Sequence, residues 1–221
     1  MKLFCSKFKP IALIVIFVLI SNVSFSKESN VQLLKPDWSF NGFFGKFDRA
    51  SLQRGYQVYK EVCASCHSMS LLSYRNLAEE GGPEFTVEEV KAVASQFEVT
   101  DGPNNDGEMF QRSGKPSDRF VSPYPNQNAS RAANGGAYPP DMSVLVKARP
   151  GGSDYIYSVL MGYEEITPEN IKLEEGVYYN KYMTGNKIRM ASPLSEGVIE
   201  YTDGTKASQE QMAKDVVSFL T

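Results

Sequence analysis

Residues 49–67 read RASLQRGYQVYKEVCASCH and join an amphipathic segment to a Cys-x-x-Cys-His motif. Apolar residues recur every three to four positions, so the pattern predicts a helix over 49–62, capped by Ser51. Its apolar stripe consists of Leu52, Tyr56, Tyr59 and Val62. The motif at 63–67 follows this helix without a break, so one short stretch determines both the fold and the candidate site.

The Cys-x-x-Cys-His motif is typical of covalent haem attachment. The thiols of Cys63 and Cys66 can form thioethers with the two vinyl groups of one haem, and His67 can then ligate the iron. A structural zinc site needs four ligands, which is more than the Cys and His residues found after residue 26. A thioredoxin-like redox pair needs a preceding strand, whereas a helix is predicted here. A simple disulfide would leave His67 unexplained.

The chain contains one His, so a second axial ligand must be of another type, and methionine is the usual partner in electron carriers. The methionines beyond residue 26 are Met69, Met109, Met142, Met161, Met183, Met190 and Met212. Met69 is too close to His67, and those on predicted helix faces favour a core role. Met190 lies in a loop followed by Pro193 and is the first candidate, with Met183 and Met142 behind it.

Residues 1–26 have the layout of a secretory signal peptide. Three lysines precede the apolar run at 11–20, and the small residues Ser24 and Ser26 follow it. Cleavage is expected near Ser26. The alternative is a retained membrane anchor, although the run is short for a full span. Export supports the haem interpretation, because c-type haem is attached outside the cytoplasm.

Composition excludes several classes of protein. The 221 residues are 42% hydrophobic and 22% charged, which is typical of one globular domain and excludes a disordered or polytopic membrane protein. The net charge is −3. Removal of residues 1–26 leaves 20 basic and 26 acidic residues, a charge of about −6. A nucleic-acid partner therefore has no electrostatic support.

Three further helices are predicted, so the fold is expected to be mostly α. They cover 87–97 after a Thr86-x-x-Glu89 capping box, 153–163 after Ser153, and 209–220 after Ser208-x-x-Gln211. In residues 101–140, Gly, Pro, Asn, Asp and Ser supply 23 of the 40 positions. This segment is expected to be a helix-free loop, either disordered or ordered by something it wraps around. Residues 197–201 could form a short strand.

Several segments together resemble the cytochrome c1 family, the c-haem subunit of the quinol–cytochrome c reductase (bc1) complex. They are RGYQVYKEVCASCHSM at 54–69, NGGAYPPDMS at 134–143, the ARPGG and DY segments at 148–155, the loop around Met190, and AKDVVSFL at 213–220. The resemblance covers roughly residues 30–221. The order of these segments is far more specific than Cys-x-x-Cys-His, which every c-type cytochrome shares.

The resemblance implies a class I c-type cytochrome fold with long haem-wrapping loops and one covalent haem c. It implies covalent attachment at Cys63 and Cys66, axial iron ligation by His67 and Met190, and pocket or propionate contacts from Asn134, Pro139, Pro140, Arg149 and Tyr155. Without the resemblance, Arg149 would be interpreted as a solvated loop arginine. The resemblance also implies that Gly55 lets the first and last helices approach closely, with Phe219 as a neighbour.

The function implied by the resemblance is single-electron transfer within a respiratory bc1 complex, without enzymatic activity of the chain by itself. The electron would come from a Rieske iron–sulfur subunit and pass to a cytochrome c, beside cytochrome b. The haem domain would face the periplasm at a bacterial inner membrane. The alternatives are a free-standing soluble periplasmic carrier and a haem peroxidase or gas sensor, which would need an open iron position.

Two departures from the family pattern stand out. Ala191 and Ser192 occupy positions where the family usually has proline, and Arg189 replaces a small residue. The family also continues past its last helix into a transmembrane anchor, whereas this sequence stops at Thr221. The expected organisation is a signal peptide at 1–26 and a haem domain at 27–221, truncated before the anchor.

Overall fold

The first helix, α1, spans Arg49–Glu61 in the computed structural model, which describes residues 31–221. The predicted helix is confirmed, but the prediction of Ser51 as its cap is wrong. Asp48 caps the helix by accepting from the Ala50 N–H. Ser51 lies within the first turn, where its hydroxyl donates to Asp215 (2.6 Å). The signal peptide predicted at 1–26 lies outside the described residues.

Four more helices follow within residues 31–221: α2 (Val87–Ala94), α3 (Gln127–Ala133), α4 (Gly152–Met161) and α5 (Gln209–Leu220). Short 3₁₀ turns occupy Cys63–Ser65, Tyr74–Ala78 and Thr184–Asn186. Two antiparallel ribbons complete the architecture. Strand β1 (Glu98–Asp101) pairs with β2 (Phe110–Ser113), and β3 (Tyr178–Tyr179) pairs with β4 (Lys187–Ile188). The fold of the described residues is therefore mostly α.

The ends of three helices differ in part from the prediction. The Thr86 capping box is confirmed. Helix α2 ends at Ala94 and not at residue 97 as predicted, because the chain turns there toward β1. Helix α4 begins after Gly151, whose φ of +86° favours glycine, and not after a Ser153 cap. Helix α5 has the predicted bounds, and the Ser208 side chain accepts from the Gln211 N–H as expected.

The predictions for two loops were wrong. Residues 101–140 contain β2 and also α3, which Asn126 starts by accepting from the Ala129 N–H. Residues 197–201 form no strand, because a turn from Ser195 to Val198 opens the segment and Ile199 is buried in the core. Local hydrogen bonds determine the structure of both segments. The periodicity of apolar residues does not reveal such bonds.

Helices α1 and α5 cross at Gly55, as predicted. A Cβ atom placed on Gly55 would lie 2.1 Å from the Asp215 carbonyl oxygen and 2.7 Å from the Phe219 Cβ. Only glycine permits this approach. Beside it, fully buried Asp215 accepts from Ser51 and from the Arg54 Nε (2.8 Å). The crossing fixes the position of α1 and hence of the motif at its end.

Among residues 31–221, no helix has both the length and the apolar character needed to cross a membrane.

Candidate functional site

The Cys-x-x-Cys-His motif continues α1 as a 3₁₀ turn. The backbone N–H groups of Cys66 and His67 both donate to the Cys63 carbonyl, at 3.1 and 2.9 Å. These two bonds close one further turn after the end of α1, and the two cysteines and the histidine lie in that turn. Cys63 and Cys66 are both free thiols and are not joined by a disulfide. Burial raises the pKa of Cys63 to about 12.

The imidazole of His67 is buried and has a defined tautomer. Its Nδ1 lies 2.8 Å from the carbonyl oxygen of Pro140. Because a carbonyl oxygen only accepts, Nδ1 must carry the proton, and Nε2 keeps its lone pair. Burial lowers the pKa of His67, although the hydrogen bond to Pro140 opposes this shift. A neutral imidazole with Nε2 available is the form in which histidine binds a metal.

The segment after the motif is tied to the segment around Pro140 through Asp141. The Asp141 Oδ2 accepts from the Ser68 hydroxyl (2.8 Å) and from both the N–H (2.8 Å) and hydroxyl (2.6 Å) of Ser70. Its Oδ1 accepts from the Ser143 N–H (2.8 Å). Burial would raise the pKa of Asp141, but the hydrogen bonds from Ser143 and Ser70 outweigh it and hold that pKa well below its ordinary value.

Met190 lies in a loop that is anchored to the end of α4. The Tyr163 hydroxyl donates to the Met190 carbonyl (3.0 Å). Tyr163 also forms a bridge to Asn180, whose buried amide donates to the Val159 carbonyl in α4 (2.8 Å). The Met190 side chain is half-buried and packs against the core. The residue is thus partly buried against the core.

The other methionines have different surroundings. Met69, Met142 and Met212 are buried in the core, and Met109 is 60% exposed. Met142 belongs to the His67 side, because its N–H donates to the Ser68 carbonyl (2.8 Å). The Met183 sulfur accepts from the Tyr155 hydroxyl (3.4 Å). Met161 is partly buried within α4 and packs against the core. Met190 is therefore the partly buried loop methionine whose sulfur has no such partner among these candidates.

The segment 134–141 links the two sides of the site. Arg189, next to Met190, donates to the Gly135 carbonyl (3.4 Å), and Pro140 accepts from His67. The Asn134 side-chain amide donates to the Ser130 carbonyl within α3 (2.7 Å) and not to another of the predicted site residues. Pro139 is half-buried beside Pro140.

Arg149 and Tyr155 lie together at the start of α4. The Gly152 N–H donates to the Arg149 carbonyl (2.9 Å), and the Tyr155 N–H donates to the Gly151 carbonyl (3.3 Å). The guanidinium of half-buried Arg149 donates to the neighbouring Ala148 carbonyl (3.3 Å), which uses one of its five N–H groups. The remaining donors can bind an anion.

Sequence reasoning missed the roles of Asp141 and Tyr163. The Asp-x-Ser spacing at 141–143 does indicate an Asx turn, which the structure contains. The contacts to Ser68 and Ser70, more than 70 positions away, have no local signature. The contact of Tyr163 with the Met190 carbonyl has no local signature either. A tyrosine at a helix end is most often a core residue.

The residues present fit a covalently bound haem c. They comprise two free thiols, a histidine with Nε2 available, a half-buried thioether and an arginine for acidic groups. Together with the mostly α fold, they define the class as a c-type cytochrome with the class I fold.

Comparison with known proteins makes the class more specific. The model of the Cytochrome C1 family matches residues 38–221, and the chain belongs to this family, which carries one covalently bound haem c. It is 51% identical over 201 residues to "Cytochrome b/c1" of Bradyrhizobium diazoefficiens, covering 83% of this chain. It is 53% identical over 184 residues to "Cytochrome c1-2, heme protein, mitochondrial" of Solanum tuberosum, again covering 83% of this chain.

A third relative is "Cytochrome c1" of Rhodospirillum rubrum, 44% identical over 210 residues that cover 88% of this chain. The chain spans only part of each relative: 29% of the Bradyrhizobium protein, 69% of the Solanum protein and 76% of the Rhodospirillum protein.

Proposed function

We propose that this chain is a single-electron carrier whose haem c is attached through Cys63 and Cys66, with His67 Nε2 and Met190 Sδ as axial iron ligands. The observation that carries the proposal is the hydrogen bond from His67 Nδ1 to the Pro140 carbonyl (2.8 Å). It leaves Nε2 available beside two free thiols. A hydrogen bond from the nitrogen that does not bind the metal fixes the tautomer of metal-binding histidines.

The choice of Met190 follows from the alternatives. Met142 is held on the His67 side by its backbone bond to Ser68, and the Met183 sulfur already accepts from Tyr155. Met190 is half-buried in a loop that joins the 134–141 segment through Arg189. When bound, a His/Met haem supplies a reversible one-electron couple of raised potential.

The remaining predicted residues are proposed to surround the haem. Arg149 is suited to a propionate, because its guanidinium keeps free donors at the start of α4. Tyr155 shares that turn, and Asn134, Pro139 and Pro140 belong to the segment that joins the two axial sides.

The proposed place of this carrier is a bc1 complex, between a Rieske iron–sulfur subunit as donor and a cytochrome c as acceptor, with cytochrome b as a neighbour. The name "Cytochrome b/c1" of the Bradyrhizobium relative supports the pairing with cytochrome b. The predicted export signal supports a haem domain on the periplasmic side of a bacterial inner membrane. The charge of about −6 beyond residue 26 favours a basic acceptor.

The first experiment tests covalent haem. The chain is produced with a c-type haem attachment system and analysed by haem staining of denaturing gels and by intact mass. We expect one haem per chain, and none in a Cys63→Ala/Cys66→Ala variant. Met109→Ala, which changes an exposed methionine, is the control and should retain the haem. A wild-type chain without covalent haem would contradict the proposal.

A second experiment separates electron transfer from peroxidase or sensor function. Oxidation of the reduced chain by cytochrome c is followed by stopped flow at increasing salt, together with peroxide turnover and carbon monoxide binding. We expect fast, salt-sensitive oxidation and little turnover or gas binding, because both axial positions are filled. Met190→Ala should increase both turnover and gas binding. High peroxide turnover of the wild type would favour the enzyme class instead.

A further inference from the structure

We propose that Asp141 is a positioning residue that holds the Pro140 carbonyl against His67 and thereby tunes the haem iron through its nitrogen ligand. The inference rests on the proposed function. It concerns a carboxylate that contributes no atom to the haem or its ligands, yet accepts four hydrogen bonds from the segments on either side of the His67–Pro140 contact.

The carbonyl in question belongs to the peptide between Pro140 and Asp141. The proline ring restricts the backbone on one side of that peptide. On the other side, Asp141 closes an Asx turn onto the Ser143 N–H (2.8 Å) and bonds across to Ser70. The direction of the carbonyl is therefore fixed from both ends.

The same carboxylate also fixes the histidine side of the contact. Ser68, which follows His67 directly, donates its hydroxyl to Asp141 (2.8 Å), and its carbonyl accepts from the Met142 N–H (2.8 Å). The Leu71 N–H donates to the Ser143 hydroxyl (3.0 Å). These bonds hold the segments 68–71 and 140–143 in one register, so the two atoms of the His67–Pro140 bond cannot move apart independently.

Chemistry explains why this position needs a carboxylate. Oδ2 accepts the Ser70 N–H and Oδ1 accepts the Ser143 N–H. An asparagine of the same shape has a single acceptor oxygen, so its NH₂ group would face one of the two backbone donors. The bonds of the Asp141 carboxylate to Ser68, Ser70 and Ser143 form a clamp. Asparagine is expected to break one side of this clamp, even though it occupies the same volume.

The consequence for the iron follows from the electronic effect of the hydrogen bond. A hydrogen bond donated by Nδ1 makes the imidazole a more basic ligand, which favours oxidised iron and lowers the reduction potential. Loosening the clamp should weaken this bond and raise the potential. The Nδ1 proton should also exchange faster with solvent, since its acceptor is less firmly held.

The experiment uses the haem-loaded chain and two variants. Asp141→Asn breaks the clamp and removes the charge, whereas Ser68→Ala/Ser70→Ala removes two hydroxyl donors but keeps the charge and both backbone bonds. Asp106→Asn, in an exposed loop, controls for the loss of one negative charge, and Ser95→Ala, an exposed serine at the end of α2, controls for the loss of a hydroxyl.

The two readouts are the exchange rate of the His67 Nδ1 proton by NMR and the midpoint potential by spectroelectrochemistry. For Asp141→Asn we expect about tenfold faster exchange and a tenfold shift toward the reduced form, which corresponds to about 59 mV upward for one electron. The double serine variant should move both readouts in the same direction by less, and the controls should match the wild type.

Two outcomes would overturn the inference while leaving the proposed function intact. If exchange is unchanged in both variants while haem is retained, Asp141 does not position the contact. If only the potential moves, and only in Asp141→Asn, the effect is one of charge alone. If Asp141→Asn fails to attach haem, the double serine variant decides by itself. A wild-type chain that binds no haem would instead overturn the proposed function, and this inference with it.

Discussion

The two proposed axial sides of the site are held in different ways. On the His67 side, the ligand follows a helix that crosses α5 in close contact, and its ring bonds a peptide that the Asp141 clamp fixes. On the Met190 side, the ligand lies in a loop between a two-residue ribbon and Pro193, anchored by one tyrosine hydroxyl and an exposed arginine. The difference indicates that the His67 side is prearranged, whereas the Met190 side depends more on the haem itself.

The largest effect is expected at the helix crossing that positions the His67 side. Gly55→Ala places a Cβ 2.1 Å from the Asp215 carbonyl, so α1 and α5 must separate. We expect a loss of about 3 kcal/mol in the free energy of unfolding, measured by denaturant titration. Glu61→Ala, exposed at the end of the same helix, is the control. Equal stability of Gly55→Ala and the wild type would show that the crossing is not tight.

The second-largest effect is expected from acid, which should reduce the stability that Asp141 contributes on the His67 side. Because the pKa of folded Asp141 is lowered, its contribution to stability is complete above the ordinary carboxyl pKa of 3.8 and is lost as pH falls through the lowered value. We expect Asp141→Asn to cost about 2 kcal/mol at pH 7, and this difference from the wild type to shrink in acid. The free energy of unfolding, measured from pH 7 to pH 2, checks this. A constant difference across that range would contradict the account.

A smaller effect is expected from the tyrosine that anchors the Met190 loop. Tyr163→Phe removes the hydroxyl that donates to the Met190 carbonyl and should cost about 1 kcal/mol. Since the loop is then easier to open, imidazole should displace the Met190 sulfur with about fivefold higher apparent affinity, as followed by visible spectroscopy. Tyr178→Phe, a partly exposed tyrosine of β3, serves as the control. An unchanged imidazole affinity would mean that Tyr163 does not hold the loop.

The smallest effect is expected at Arg189. Its contact with Gly135 is long, at 3.4 Å, and its ion pair with Glu174 spans 3.9 Å between exposed side chains. Such pairs contribute little, so Arg189→Ala should change the free energy of unfolding by less than about 0.5 kcal/mol. Lys206→Ala, which removes another exposed cation with a long ion pair (3.8 Å), gives the baseline. A loss much larger than that baseline would show that the Met190 side is more firmly held than the geometry indicates.

Much of the His67 side could be predicted from sequence because its signals are local. The stripe of α1 and the spacing of Cys63, Cys66 and His67 lie within 20 positions, whereas the close crossing at Gly55 was implied by the resemblance to the family. The helix caps were less predictable. Asp48 and not Ser51 caps α1, and Gly151 and not Ser153 is the cap residue of α4. The position of a cap depends on backbone geometry as well as on residue type.

The Met190 side could not be derived in the same way. Residues 101–140 and 163–208 are dominated by turns, and their partners are distant in sequence, as with Tyr163 and Met190 or Gly135 and Arg189. The spacing of apolar residues along the sequence does not predict such contacts. The resemblance to the family favoured Met190 as the proposed ligand, whereas spacing alone put Met190 first and left Met183 and Met142 as alternatives.

Iron-edge X-ray absorption of the haem-loaded chain tests the proposed His67–Met190 ligand pair, because it counts the sulfur ligands of the iron. We predict one sulfur at the iron in the wild type, in Met183→Ala and in Met142→Ala, and none in Met190→Ala. A sulfur ligand that persists in Met190→Ala, or that disappears in Met183→Ala, would contradict the assignment of His67 and Met190 as the axial pair.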